Sequence, residues 1–207
     1  PSGSSWPYVS ESSAPITAAL SFYENYLSLL PEARGYLPST DGTLVAVSTM
    51  GARLWTFATS PQTALAVAPS LPQAEAGKVY LYLAGENGDI YKVRDDTTAA
   101  AVAWQVSLGA RPTSVLETAE RLYIPTSDNK VRCLNRSDGQ TCAGWNFSSA
   151  VTAPPAGTPS VDERATVATV WIGLEDGKVV SLKTGDGTSN TTFTTGGPVA
   201  GSPYFDA

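Results

Sequence analysis

The sequence predicts an all-β protein, a β-propeller of four-stranded antiparallel blades, on three observations. The first is composition. The 207 residues hold 18 Gly and 15 Pro but only 15% charged residues, which suits many short strands joined by tight turns. The second is a hairpin that recurs four times, at residues 41–57 (DGTLVAVSTMGARLWTF), 87–106 (NGDIYKVRDDTTAAAVAWQV), 128–147 (DNKVRCLNRSDGQTCAGWNF) and 176–193 (DGKVVSLKTGDGTSNTTF). The third is a constant period. Trp6, Trp55, Trp104, Trp145 and Phe193 are spaced by 49, 49, 41 and 48 residues, and the turn residues Asp41, Asn87, Asp128 and Asp176 by 46, 41 and 48. A four-stranded unit repeated at this interval is the signature of propeller blades. One such sheet exposes both faces, and stacking buries them.

Taken in order, residues 1–12 look like the closing strand of a unit whose beginning is missing, with Trp6 as its aromatic residue. Residues 14–23 (APITAALSFY) carry an apolar spacing that a helix could share. The equivalent places at 65–72, 110–117, 156–163 and 199–206 contain Pro69, Pro159 and Pro203, which a helix would not tolerate, so a first strand is expected in each unit. The second strands are expected at 34–40, 78–85, 121–127 and 169–174, runs rich in β-branched and aromatic residues. Asp-Gly, Asn-Gly or Asp-Asn then turns the chain into the third strand, and the fourth closes the unit on its aromatic residue. The blades are expected at about 13–60, 61–109, 110–150 and 151–196, within one propeller segment over 1–207, with partial blade strands at 1–12 and 197–207.

The recurring aromatics, Trp6, Trp55, Trp104, Trp145 and Phe193, read as packing wedges between neighbouring blades. Strict periodicity argues against a ligand platform, which need not recur in every blade. Cys133 and Cys142 lie nine residues apart in one hairpin, and the turn between them folds them together, so a disulfide is expected. Two cysteines without a histidine are too few for a zinc site. The sequons at Asn135, Asn146 and Asn190 are compatible with glycosylation and export.

Net charge is −6 and the sequence pI about 4.6. With no basic stripe to neutralise phosphates, a nucleic-acid partner is not expected. No apolar run approaches the roughly 18 residues of a membrane span. Absence of histidine removes the commonest general base and the Ser–His nucleophile pair. Residues 184–190 (TGDGTSN) could be imagined as a calcium loop but offer only Asp186 and Asn190, and a hairpin turn is expected. Arg94, Asp95 and Asp96 read as a solvated turn. The chain starts at Pro1 without Met or a signal peptide, as a processed product or a piece of a longer polypeptide would.

The four units resemble the PQQ-like β-propeller repeat, most closely in GYLPSTDGTLVAVSTMGARLWTF, VYLYLAGENGDIYKVRDDTTAAAVAWQV, LYIPTSDNKVRCLNRSDGQTCAGWNF and VWIGLEDGKVVSLKTGDGTSNTTF. That family includes quinoprotein dehydrogenases, outer-membrane assembly scaffolds of the BamB type and pilus-tip adhesins. The resemblance implies a ring of seven or eight blades, of which this chain would supply part. A four-bladed ring would leave both end pieces unexplained. The dehydrogenase branch implies adjacent cysteines stacked on the quinone and a Glu/Asn/Asp calcium site. This chain has no adjacent cysteines and only isolated Glu117, Asp162, Glu163 and Asp206 where inner strands would point. No catalytic, cofactor or metal residue is therefore expected.

The resulting expectation is a non-catalytic, exported scaffold, periplasmic, cell-surface or extracellular, inside a larger protein. Its partners would be proteins or other blades of the same propeller, held by rim loops at 61–75, 95–103 and 148–155. The competing classes are a fragment of a PQQ-dependent dehydrogenase and a structural unit of an extracellular assembly.

Overall fold

Alternation of apolar and polar residues, cut by turn signals every six to eight positions, leaves each segment short and needing neighbours on two sides. A computed structural model shows how that need is met. It describes residues 20–24, 29–67, 69–70, 73–145, 149–164, 166–199 and 201–204. Among them every regular element is a strand, and the strands form four separate four-stranded antiparallel sheets. The first sheet is β1 (Ser21–Tyr23), β2 (Arg34–Pro38), β3 (Thr43–Ser48) and β4 (Arg53–Ala58). The second is β5 (Gln73–Glu75), β6 (Lys78–Ala84), β7 (Asp89–Asp95) and β8 (Ala100–Ser107). The third is β9 (Leu116–Glu117), β10 (Arg121–Thr126), β11 (Lys130–Asn135) and β12 (Ser149–Ala150). The fourth is β13 (Pro155–Asp162), β14 (Thr169–Leu174), β15 (Lys178–Lys183) and β16 (Ser189–Thr194). Each is an up-and-down meander in chain order, the blade of a β-propeller.

The chain divides into two compact units, Pro1–Gly109 and Ala110–Ala207. In the first, Tyr36, Leu44, Ala46 and Trp55 of one blade share a buried cluster with Val79, Leu81, Leu83 and Val93 of the next. In the second, Tyr123, Val131, Cys133 and Trp145 share one with Val170, Ile172, Leu174, Val180 and Leu182. The middle strands of each blade are apolar on both faces, as strands covered on both sides must be.

The turn between second and third strands places a left-handed residue at the same position four times, and in three of the four the preceding Asp or Asn braces it. Asp41, Asn87 and Asp176 each accept, through Oδ1, the backbone N–H two residues on, from Thr43, Asp89 and Lys178. The next residue takes a left-handed conformation, with φ of 82° at Gly42, 92° at Gly88, 81° at Gly177 and 59° at Asn129, the residue other than Gly that tolerates it best. The carbonyl of that residue then accepts the N–H of the residue just past the fourth strand or near it: Thr59 on Gly42, Leu108 on Gly88, Val151 on Asn129 and Thr195 on Gly177, at 2.7–3.0 Å. Each blade's exit is thereby laced onto its own central turn, between second and third strands.

Segments in or just before the first strands of successive blades are also tied. Ser21 Oγ donates to the Pro69 carbonyl at 2.6 Å, and Ser114 Oγ to the Gly157 carbonyl at 3.1 Å. Ser160 Oγ donates in the same way to the Pro203 carbonyl, and Ser202 Oγ accepts the Thr158 N–H at 2.9 Å. Residues 201–203 thus lie against β13 as Gly157 lies against the first strand before it.

The expected elements differ from the observed ones at the edges. β1 occupies Ser21–Tyr23 of the expected 14–23, and residues 14–19, like all of 1–12, lie outside the described residues. The expected strand at 65–72 is only loosely paired. Leu65 bridges Gly85 and Ala66 donates to the Ala84 carbonyl, but Pro69 has no N–H to continue the ladder, and β5 begins at Gln73. Likewise 110–117 pairs by a bridge at Pro112 before β9. In the third blade the described part of the fourth strand is Ser149–Ala150, and Trp145 closes a turn, its N–H donating to the Cys142 carbonyl at 3.1 Å.

A Cβ on Gly42 would stand 2.1 Å from the Thr63 carbonyl oxygen, in a backbone conformation that already disfavours side chains. Gly42→Ala is expected to cost well over about 1 kcal/mol in urea unfolding. Gly77→Ala, at φ 73° with open space around it, is expected to cost less. Equal losses would show that the close approach contributes nothing.

Candidate functional site

Each blade carries an aromatic pair that spans its third strand. Second-strand Tyr36, Tyr82, Tyr123 and Trp171 meet Trp55, Trp104, Trp145 and Phe193, with ring centroids 5.5–5.7 Å apart. Register explains the pairing. Ala46 stands opposite both Tyr36 and Trp55, Lys92 opposite both Tyr82 and Trp104, while Cys133 faces Tyr123 and Ser181 faces Trp171. Three of these four intervening residues are small, so the rings close over them.

The expected wedges are not equivalent in surroundings. Trp55 and Trp145 are buried within the inter-blade clusters of their units. Trp104 is half-buried, and Phe193 is 55% exposed and lies nearly parallel to Trp171, at 17°. Trp6 lies outside the described residues. Lys92 is the exception among the intervening residues. It is only 2% exposed, with its ammonium 4.5 Å from the Tyr80 ring centre and 2.7 Å from Glu75 Oε2, so a charge is neutralised where an apolar residue would otherwise fit.

Cys133 and Cys142 form a disulfide with Cα atoms 5.4 Å apart. Its place is informative. Among the described residues β11 pairs with β12 at Lys130 and Val131. Farther along β11, Leu134 bridges Thr141, Asn135 donates to the Gln140 carbonyl at 2.7 Å and the Cys142 N–H to the Cys133 carbonyl at 3.0 Å, so the covalent link reinforces a segment that backbone bonds already hold against the third strand. Of the sequon residues, Asn135 is half-buried at the end of β11, Asn190 is exposed on β16, and Asn146 lies outside the described residues.

The residues that sequence reasoning missed form a buried polar tie between the first two blades. The local sequence places Asp95 in a solvated turn. It is instead wholly buried, and Arg34, 1% exposed at the side chain, lies against it with Nη1 at 3.1 Å from both carboxylate oxygens. Tyr36 donates to Asp95 Oδ2 at 2.8 Å, and the Thr97 N–H to Oδ1 at 2.7 Å. Burial and the adjoining Asp95 carboxylate push the Tyr36 phenol far above the usual tyrosine range. Arg94 and Asp96 form an exposed ion pair at 2.7 Å, as a solvated turn would. The signal was present in the sequence. Arg34-Gly-Tyr-Leu-Pro and Arg121-Leu-Tyr-Ile-Pro share Arg-x-Tyr-x-Pro in alternate blades, an excess of pattern over what a strand alone requires.

Other charged groups serve turns. Arg132 grips Asp128 with two bonds of 2.9 Å, and Thr126 Oγ1 donates to the same carboxylate at 2.6 Å. The guanidinium hydrogen bonds hold the Asp128 carboxyl well below the ordinary range. Glu117 stands 3.1 Å from Arg136 and Asp162 3.7 Å from Arg164 as ion pairs. Asp186 accepts from both the N–H and the hydroxyl of Thr188, at 2.9 and 2.7 Å, in a hairpin turn. Among the described residues no three His, Cys, Asp or Glu side chains gather into a metal site. The two cysteines, nine residues apart and joined to each other, do not supply the vicinal pair of a quinone platform. The residues present do not fit a quinone with its calcium.

With this repeat geometry established, the comparisons with known proteins can be read. The pattern defining the family described as outer membrane protein assembly factor BamB matches residues 40–198. The chain belongs to that family of PQQ-like propellers. No curated protein matches it in sequence. Among solved structures it resembles BBS1N, crystallised in complex with ARL6DN and soaked with mercury, at TM-score 0.68 and 14% identity over 94% of this chain and 59% of that one. A lead-soaked crystal of the same complex gives TM-score 0.59 and 12% identity, over 82% and 51%. BamB from Moraxella catarrhalis gives TM-score 0.55 and 16% identity, over 77% and 49%. At these identities the likeness is one of fold, and the chain spans only about half to three-fifths of the structures it matches.

Two outcomes follow from the polar ties. Asp95→Asn leaves a buried guanidinium without its counter-charge, and is expected to lose about 3–5 kcal/mol in chemical denaturation. Arg34→Met with Asp95→Leu should recover most of it, and a single-variant loss below about 1 kcal/mol would contradict the assignment. Asp128 has a depressed folded pKa, so its stabilisation is full above the unfolded value near pH 4 and is lost as pH falls below that. Asp128→Asn is therefore expected to flatten the acid limb of the stability profile below about pH 4. An unchanged limb would remove the role given to Arg132.

Proposed function

We propose that this chain is a non-catalytic propeller scaffold whose rim loops hold protein partners, within a larger exported protein. The observation that carries the reading is the use made of its charged and polar side chains. Arg34 with Asp95, Arg132 with Asp128 and Lys92 with Glu75 are engaged in tying strands, turns and neighbouring blades, while the repeated aromatic pairs close over strand residues. Membership of the BamB-type family supports a role in assembly. The likeness to BBS1N, a propeller crystallised with the partner ARL6DN, supports the use of this fold as a docking platform.

Two further observations support the larger context. The Cys133–Cys142 disulfide is of a kind that persists in oxidising compartments, which favours export. Residues 201–203 pack on β13 like the first strand of a following blade, which favours additional blades completing the propeller.

A photo-crosslinking residue placed at Gln62, Thr98 or Pro154, all exposed in the irregular loops, tests the docking role in the full protein within its native cells. Polypeptide adducts from at least one loop are expected. No adduct at any position, together with quinone-dependent turnover of an alcohol by the isolated protein, would replace the scaffold reading with the enzymatic one. Mass spectrometry of the native protein should find no free thiol, and two free thiols would remove the argument for export.

A further inference from the structure

The two Arg-x-Tyr-x-Pro strands are structural copies, yet only one of them is satisfied from within. Arg34 stands opposite Ser48 and Tyr36 opposite Ala46 in the β2–β3 ladder. Arg121 stands opposite Asn135 and Tyr123 opposite Cys133 in the β10–β11 ladder. In both units the arginine reaches into the following blade, to the residue six positions after the start of its third strand. In the first unit that residue is Asp95, whose carboxylate takes Arg34 and Tyr36 together. In the second it is Thr184, which has no carboxylate to offer.

What Thr184 offers is its backbone carbonyl, which accepts both Arg121 Nη1 and, at 2.8 Å, Trp145 Nε1. Among the described residues no carboxylate pairs with Arg121. The place that a carboxylate fills in the first unit opens, in the second, into a cleft of about 410 Å³, with Arg121, Tyr123, Thr184 and Ala168 in its wall and Glu120 and Glu163 also lining it. Burial raises the Tyr123 phenol above the ordinary tyrosine range, although Arg121 pulls it back in part. It is a neutral hydrogen-bond donor at physiological pH.

We propose that this cleft receives the carboxylate of an Asp or Glu side chain from a polypeptide partner, seated between Arg121 and Tyr123 as Asp95 is seated between Arg34 and Tyr36. The chain itself contains the template for the complex. An arginine and a tyrosine hydroxyl converging on one carboxylate make charge-assisted bonds, the stronger class of hydrogen bond. Glu120 and Glu163, both exposed, set the flanking preference. They disfavour a run of acidic residues and favour a single acid with lysine or arginine beside it. The proposal rests on the docking role above and names the chemistry of one contact within it.

The test uses the 207-residue chain and two blocked pentapeptides, Ala-Lys-Asp-Lys-Ala and its Asn counterpart, titrated while tryptophan emission and indole proton signals are followed. Trp145, hydrogen-bonded to Thr184, is the reporter. The Asp peptide is expected to bind at least about tenfold more tightly than the Asn peptide, the difference one charge-assisted contact makes. Arg121→Gln should abolish that preference. Thr184→Asp, which supplies the missing carboxylate from within, should close the cleft, prevent peptide binding and raise the thermal midpoint. Should Arg121→Gln fail to fold, Thr184→Asp decides alone. Equal binding of the two peptides, or undiminished binding by Thr184→Asp, would overturn the proposal. Acetate binding as tightly as the Asp peptide would overturn the polypeptide source and leave a small-carboxylate site. Loop crosslinks that persist while the peptides fail to bind would remove this contact and keep the docking role.

Discussion

A four-stranded sheet with apolar side chains on both faces cannot stand alone in water, and that constraint governs this molecule. It explains why the middle strands of every blade are mostly apolar and buried, with polar side chains such as Lys92 and Arg132 admitted only with partners, why the buried clusters draw about equally on two successive sheets, and why first strands can be as short as two or three residues. Those strands have one neighbour and tolerate prolines and isolated bridges. In the third blade the disulfide tethers Cys142 to the third strand, next to the Trp145 ring that lies over Tyr123.

The sequence revealed the architecture because turn chemistry and packing repeat together. Asp-Gly and its variants require a left-handed residue at one position, and the aromatic residue recurs because the same gap recurs. Both are local demands, visible without coordinates. First strands were placed less well, because their pairing is decided by prolines that remove donors one at a time and leave the apolar pattern intact. Asp95 was misread for another reason. Its neighbours Arg94 and Asp96 form an exposed pair, and nothing local reveals that the chain carries the residue between them under a tyrosine some sixty positions away. Burial of a charge is a property of the whole packing, and only the shared Arg-x-Tyr-x-Pro pattern hinted at it.

The same comparison clarifies what repetition does for function. Copies of a unit constrain one another's interpretation: a group that is satisfied in one copy and open in another marks a departure from structural necessity. The aromatic pairs, present in all four blades, belong to the scaffold. The Arg–Tyr pair, closed by Asp95 in one unit and left facing a cleft in the other, does not follow from the scaffold alone. Individuality in such a protein is found by subtraction of its own repeats.

The lacing of each blade's exit onto its central turn, through the carbonyls of Gly42, Gly88, Asn129 and Gly177, bears on how such chains can change over evolutionary time. Once the exit is fastened, the sheet is closed as a hydrogen-bonded object, and the chain beyond is free to wander before the next blade begins. Insertions, deletions and new epitopes can accumulate in that stretch without loosening what precedes it. A propeller fastened in this way is a row of knots on a string, and the string between the knots can be lengthened.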